Sequence, residues 1–358
     1  MKKNTFISKF FVCAALLSAA LSPLAARGTK DSVQSDTSTQ DSRKKEVVVY
    51  TYDSFAGEWG PGPELVKRFE AKTGLKLTLI DCGDAIQAFN RAVLEKNKPQ
   101  ADVIIGIDNN LADKAVKADI LTSYKPKNRD SIVDKELVSA LGDAGAKNLL
   151  TPYDYSHFAM IYDTESSVPA PQSLEDLTND IYRRKIILMD PRTSTPGLGF
   201  LAWTVSAYGD KAADYWKALK PNILTMTSGW SEGWGMFLEG EAPLVISYTT
   251  SPAYNVEYDK NDRFQALVFE QGHVEQVEGY GLLKNAPNPD GAKVFMDYLL
   301  TEEAEDTFPL TQWMYPANKN VQLPKSYAQA APIPSRTLPT DSEATEQAVQ
   351  TVTRLLAN

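Results

Sequence analysis

Four separated stretches set tryptophan or tyrosine beside glycine, serine or threonine. They are Tyr50-Thr51-Tyr52-Asp53-Ser54-Phe55 with Trp59, Asp190-Pro191-Arg192-Thr193-Ser194-Thr195-Pro196-Gly197, Ser228-Gly229-Trp230-Ser231, and Ser247-Tyr248-Thr249-Thr250-Ser251-Pro252-Ala253-Tyr254. Each falls where a predicted strand ends and a helix begins, the edge at which open α/β sheets hold small ligands. Aromatic walls with a few aimed hydroxyls and amides suit holding a flat molecule rather than breaking it. Trp59, Trp230 and Trp313 lie in turn-like sequence away from any apolar stripe. Their faces can stack on a heteroaromatic ring or cover a cation, each contact contributing about 0.5 to 2 kcal/mol. Trp203 and Trp216 instead fit core positions of helices.

The stretch Asp190 to Gly199 joins a strand to a helix, with Thr195 at the cap and Pro196 at the first helical position. Free amides at such a terminus favour an anion or a phosphate, although an ordinary capped junction accounts for the same pair. Thr193 and Ser194 add hydroxyl donors, and Arg192 can pair with a phosphate or a nearby carboxylate. Asp53, Asp84 and Asp108 each follow a predicted strand; each can accept from an exocyclic amine or simply cap the next helix.

Gly229-Trp230-Ser231-Glu232-Gly233 matches the G-x-S-x-G pattern of a nucleophile elbow, and His273 with Asp259 or Asp262 follows in α/β-hydrolase order. A secreted serine hydrolase using Ser231 is therefore one alternative function. Its weakness is the lack of a glycine-rich oxyanion segment after an early strand. His157 and His273 are the only histidines, and HExxH, P-loop and GxGxxG motifs are missing, which argues against zinc and the usual nucleotide sites. Tyrosines with a phosphate could still hold ferric iron, so a ferric-ion carrier is a second alternative.

The elements that must position these residues alternate. Strands are expected at 47–52, 75–80, 101–107, 186–189, 223–227 and 244–248, with helices at 63–72, 86–96, 111–118, 212–219, 232–239 and from Pro196. Repeated β-α-β units imply a parallel sheet covered on both faces. Thr151 to Asp163 reads as an extended crossing into a second lobe, and 274–283 as a strand returning to the first. The expected division is a signal peptide at 1–26, a disordered polar leader at 27–45, a first lobe of 46–152 plus about 275–312, and a second of 153–274 plus about 313–358.

A chain of 358 residues suits two domains. Lys2, Lys3 and Lys9, the apolar run Phe10–Leu21 and the exit at Ala25-Ala26 read as an export signal, too short to span a membrane. Export points to the periplasm. A lipid anchor at Cys13 fits poorly, because Phe10 and Val12 stand where a lipobox wants leucine and a small residue. Cleavage leaves Cys82 as the single thiol, expected buried and unreactive, and no internal disulfide. Loss of three lysines and no acid moves the net charge from −9 to −12, which disfavours nucleic acid and anionic membranes, and suits a cationic ligand or plain solubility.

Over nearly all of residues 46 to 320 the chain resembles the periplasmic thiamine-binding proteins of ABC importers, a branch of the type II periplasmic solute-binding proteins. The resemblance is carried by the Tyr50 to Ala56 segment with Trp59-Gly60-Pro61-Gly62-Pro63, by Gly106-Ile107-Asp108-Asn109-Asn110, by Asp190 to Gly199, by Gly229 to Glu232, by Ser247 to Tyr254 and by Trp313-Met314-Tyr315-Pro316. It implies a two-lobed α/β fold with crossing hinge strands that closes on thiamine or its mono- or diphosphate. No catalysis and no cofactor are implied; the partners are a membrane permease and its ATPase, and the receptor is a monomer. It further implies that Tyr52, Trp59, Tyr248, Tyr254 and Trp313, with Trp230 beside them, wall the two rings. By the same likeness Asp84 is the acidic contact, and Ser194 with the helix opening at Thr195 is the phosphate end. Enteric relatives carry a cysteine pair near the second strand where this chain has Cys82 alone, and the glycine that follows the acid is here Ala85.

Overall fold

The computed structural model describes residues 44–357; the expected signal peptide, Cys13 and most of the polar leader lie outside them. The first strand, β1 (Glu46–Thr51), is a run of valines buried on both faces, as a strand covered by helices on each side requires. Val47 and Val49 point into one apolar cluster with Phe55, Phe69 and Phe295, while Val48 and Tyr50 point into another with Ile86, Phe89 and Ile104. After a single helical turn at Asp53–Ala56, the helix Gly62–Thr73 opens with proline in its first turn and stops at Gly74, whose φ of 72° is left-handed.

The remaining strands are β2 (Lys76–Asp81), β3 (Val103–Asp108), β4 (Leu121–Thr122), β5 (Thr151–Asp163), β6 (Ile186–Met189), β7 (Ile223–Thr227), β8 (Leu244–Tyr248), β9 (Phe264–Leu267), β10 (Glu275–Leu283) and β11 (Tyr315–Pro316). They form one continuous curled sheet in the order β2-β1-β3-β10-β5-β8-β6-β7, with β4 on β10 and β9 and β11 on β5. β1, β2 and β3 run parallel, as do β6, β7 and β8. The sheet is mixed rather than wholly parallel, because β10 is antiparallel to both β3 and β5. A strand that returns from the far half must enter the first half from the opposite end.

β5 belongs to both halves. Up to His157 it pairs with β10, and from Phe158 onward with β8 and β9. The second half has its own core around Phe158, Phe200, Trp203 and Trp216. Both tryptophans are fully buried there, each with its indole N–H bonded, Trp203 to the Gly272 carbonyl and Trp216 to Thr204 Oγ1. Ala317 packs in the core of the first half, whereas Leu338 and Val352 pack in that of the second.

The C-terminal helix, Ser342–Ala357, lies against the helices Thr195–Tyr208 and Ala212–Leu219 of the second half. It also reaches the first half, where Ser342 Oγ donates to Asp113 at 2.7 Å and Glu346 pairs with Lys114 at 3.4 Å. Among the described residues no helix is long and apolar enough to cross a membrane. Cys82 is half-buried rather than buried, since it follows β2, the edge strand of the sheet. Burial still raises its pKa despite Arg91 beside it.

Candidate functional site

The ends of strands from both halves converge on a cavity of about 1110 Å³. β1 delivers Tyr52 and Asp53, the turn after β2 delivers Asp84, β8 ends at Tyr248, and the segments after it bring Ser251, Tyr254 and Tyr258. The helix Trp230–Leu238 contributes Trp230, Ser231 and Trp234; the loop before β11 contributes Gln312 and Trp313.

The floor is a polar hub. Glu278 of β10 accepts from both Tyr52 OH and Tyr153 OH at 2.6 Å, and Gln312 Nε2 donates to Tyr52 OH at 2.7 Å. Burial first, then the negative Glu278, lifts the Tyr52 pKa well above its ordinary value, so this phenol is a neutral donor. Gly106, with φ of 101°, lets the backbone of β3 lie flat on the Tyr52 ring.

The walls are aromatic. Trp230 and Trp234, one helical turn apart, stack at 5.6 Å with planes 11° apart, and the Trp230 indole N–H donates to Ser247 Oγ. Trp313 meets Tyr254 at 5.3 Å and Tyr258 at 5.7 Å, edge to face in both cases. Trp59 stands at the rim, 88% exposed.

Asp84 bridges the two halves. It caps its own helix, Ala85–Leu94, by accepting from the Ile86 amide at 3.2 Å, and the same oxygen accepts from the Thr195 amide at 3.0 Å. The sequence expectation placed Thr195 at the helix cap; the helix in fact begins at Thr195 and Ser194 is the flanking residue. Ser194 is fully buried, does not line the cavity, and its hydroxyl makes no hydrogen bond of normal geometry although it lies close enough to favour an ionised Asp84. A carboxylate from across the cleft thus does the capping that a side chain usually does. The Ser231 hydroxyl lies close enough to Asp53 to favour its ionised form, while burial raises the Asp53 pKa.

Burial outweighs these donors and pushes Asp84 from 3.8 up to about 7. Its contribution to folding stability is therefore fully present below 3.8 and is lost as pH rises through about 7. Asp84→Asn keeps a good cap and removes the titration, so melting temperature followed from about pH 4 to 7 should fall less steeply than in the wild type. An unchanged slope would show that Asp84 is already ionised across that range.

Other expected residues are elsewhere. Asp108 is buried away from the cavity, with its oxygens taken by the Asn110 and Leu111 amides and by Gln276, and burial pushes it up to about 6. Arg192 is paired with Asp190, not with the cavity. The hydrolase triad does not form: His273 is fully buried, its Nε2 accepting from the Phe269 amide and its Nδ1 bonded to the Phe158 carbonyl. No ring nitrogen is left to serve Ser231. Among the described residues no group of three or more His, Cys, Asp or Glu side chains is placed to hold a metal ion.

Sequence reasoning missed Trp234, Tyr258, Glu278 and Gln312 as liners of the cavity. The four-residue spacing of Trp230 to Trp234 was a usable signal, because residues that far apart share a helix face. Tyr254 and Tyr258 have the same spacing, with ring centroids 5.3 Å apart.

The family model for bacterial extracellular solute-binding proteins matches residues 64–335. The thiamine-binding periplasmic protein of Brucella abortus biovar 1 (strain 9-941) is 39% identical over 296 residues, 82% of this chain and 86% of that one. The chain belongs to this family of thiamine-binding periplasmic proteins. Its Escherichia coli (strain K12) member is 39% identical over 284 residues, covering 79% of this chain and 84% of the other. A solved periplasmic thiamin binding protein superposes with a TM-score of 0.80 at 36% identity, covering 87% of this chain and 96% of that structure. The fold is accordingly the two-lobed type II periplasmic binding protein fold, and the family consists of solute receptors rather than enzymes. A ferric binding protein from Campylobacter jejuni shares the fold alone, with a TM-score of 0.70 at 18% identity.

Proposed function

We propose that this protein captures thiamine in the cavity between its lobes, in the periplasm and as a monomer, and presents it to an ABC permease. Thiamine mono- and diphosphate are further ligands of the same cavity. The observation that carries the proposal is the lining: aromatic walls of Trp59, Trp230, Trp234, Tyr248, Tyr254 and Trp313 with five carboxylates, Asp53, Glu58, Glu64, Asp84 and Glu278. Against these stands one lysine, Lys67, which is paired with Glu64. A thiazolium is a permanent cation spread over a flat ring, so aromatic faces and surrounding negative charge both attract it. The names of the relatives support the same ligand, and the match runs along most of both chains. Phosphate tails would point towards the start of the helix Thr195–Tyr208, where Asp84 holds the first amide.

Calorimetry and tryptophan fluorescence on protein refolded free of ligand test the proposal. Saturable one-to-one binding with quenching is expected for thiamine, and nanomolar affinity corresponds to about −12 kcal/mol. A flat thermogram with all three vitamers would overturn it. Ferric citrate run in parallel tests the iron-carrier alternative, which demands a visible tyrosinate absorption band.

A further inference from the structure

Resting on that reading of the cavity, we propose that Glu278 is the buried counter-ion that selects a permanently charged ring, and that Asp154 behind it is a protonated acid holding it ionised. The two residues face each other directly across β5 and β10, so their side chains leave the same side of the sheet. Both are shielded from water, Asp154 completely and Glu278 almost so. Among the described residues neither oxygen of Asp154 meets an N–H or hydroxyl donor, yet its carboxyl reaches Glu278 closely enough to hydrogen bond. Two ionised carboxylates in that position would repel each other with no water to screen them. One proton on Asp154 resolves the conflict, since its O–H then donates to Glu278.

Glu278 is left as a single negative charge solvated by three protein donors: Asp154, Tyr52 and Tyr153. It is also the member of the pair that lines the cavity. The other titratable groups around it supply no positive charge: Asp108 on β3, Tyr248 at the end of β8 and Glu305, which acts on Asp154. A cation entering the cavity therefore meets an anion that has no positive partner among the described residues. Burial raises the Glu278 pKa against the opposing pull of its donors Tyr153, Tyr52 and Asp154, and a bound cation must lower it. Thiamine affinity thus rises with pH until the ligand-free Glu278 is fully ionised, by up to about tenfold per pH unit.

The test compares thiamine with its neutral isostere, in which thiophene replaces thiazolium, on the wild type, Glu278→Gln and Asp154→Asn. The wild type should prefer thiamine by roughly 30-fold or more, Glu278→Gln should bring the two within about threefold, and Asp154→Asn, which still donates, should keep the preference. Equal loss of both ligands in Glu278→Gln would overturn the proposal, reducing Glu278 to a brace for Tyr52. If that variant does not fold, wild-type calorimetry in two buffers of different ionisation enthalpy decides. More protons released with thiamine than with the isostere, below neutral pH, supports the counter-ion; equal counts overturn it. Wild type that binds thiamine without discriminating the isostere sinks this proposal alone, whereas wild type that binds neither sinks the thiamine assignment with it.

Discussion

Trp313→Ala is expected to raise the thiamine Kd by roughly 30- to 150-fold, about 2 to 3 kcal/mol, with the fold intact. The ring is half-buried in the cavity wall and braced edge to face by Tyr254 and Tyr258. Its backbone sits at φ 57°, a left-handed conformation that a bulky residue adopts only at a cost on the order of 1 kcal/mol or more. The strain is held in place by a bond from the Trp313 amide to the Phe308 carbonyl at 2.9 Å. The indole packs only on the edge of a small cluster of Ala253, Tyr315, Tyr327 and Ala331, apart from the main cores of both halves, so the melting temperature should move little while titration calorimetry shows the loss. Unaltered affinity would remove Trp313 from the site.

Gly106→Ala should damage stability and binding together. Gly106 is the extra residue of a bulge, since β10 pairs Gly279 with Ile107 and Tyr280 with Ile105 and skips it. A Cβ there would lie 2.6 Å from the Tyr52 ring and 2.9 Å from the Ala85 Cβ, on a backbone with φ of 101°. The left-handed backbone costs about 1 kcal/mol and the overpacking another 1 to 3 kcal/mol, so a loss of roughly 2 to 4 kcal/mol is expected. Scanning fluorimetry should register a fall of about 3 to 6 °C. Tyr52 must tilt away from Glu278, and thiamine affinity should drop with it. A variant that melts and binds like the wild type would mean that the bulge opens freely.

The alternation of elements was readable because each depends on neighbours in the chain: the valines of β1, the stop at Gly74, and the core positions of Trp203 and Trp216. Tyr52, Trp59, Tyr248, Tyr254 and Trp313 could be singled out from the resemblance, and the structure brings all five to one cavity. What stayed hidden are pairings between distant positions. Tyr52 and Glu278 are 226 residues apart, Tyr153 and Glu278 125, and Asp84 and Thr195 111. No local period encodes them; they exist only after β10 has returned beside β5. Glu278 in particular sits in a strand that also opens on Glu275 and Gln276, so nothing local marks it as the acid that meets Tyr52 and Tyr153.

The helix Ser342–Ala357 is fastened to the second lobe, yet Ser342 holds Asp113 and Glu346 holds Lys114 on the first. Any swing of one lobe on the other must stretch or slide these two links. The tail of the chain therefore straps one lobe to the other from outside the cavity, and a truncation ahead of Ser342 would cut both links without removing a single residue that lines it.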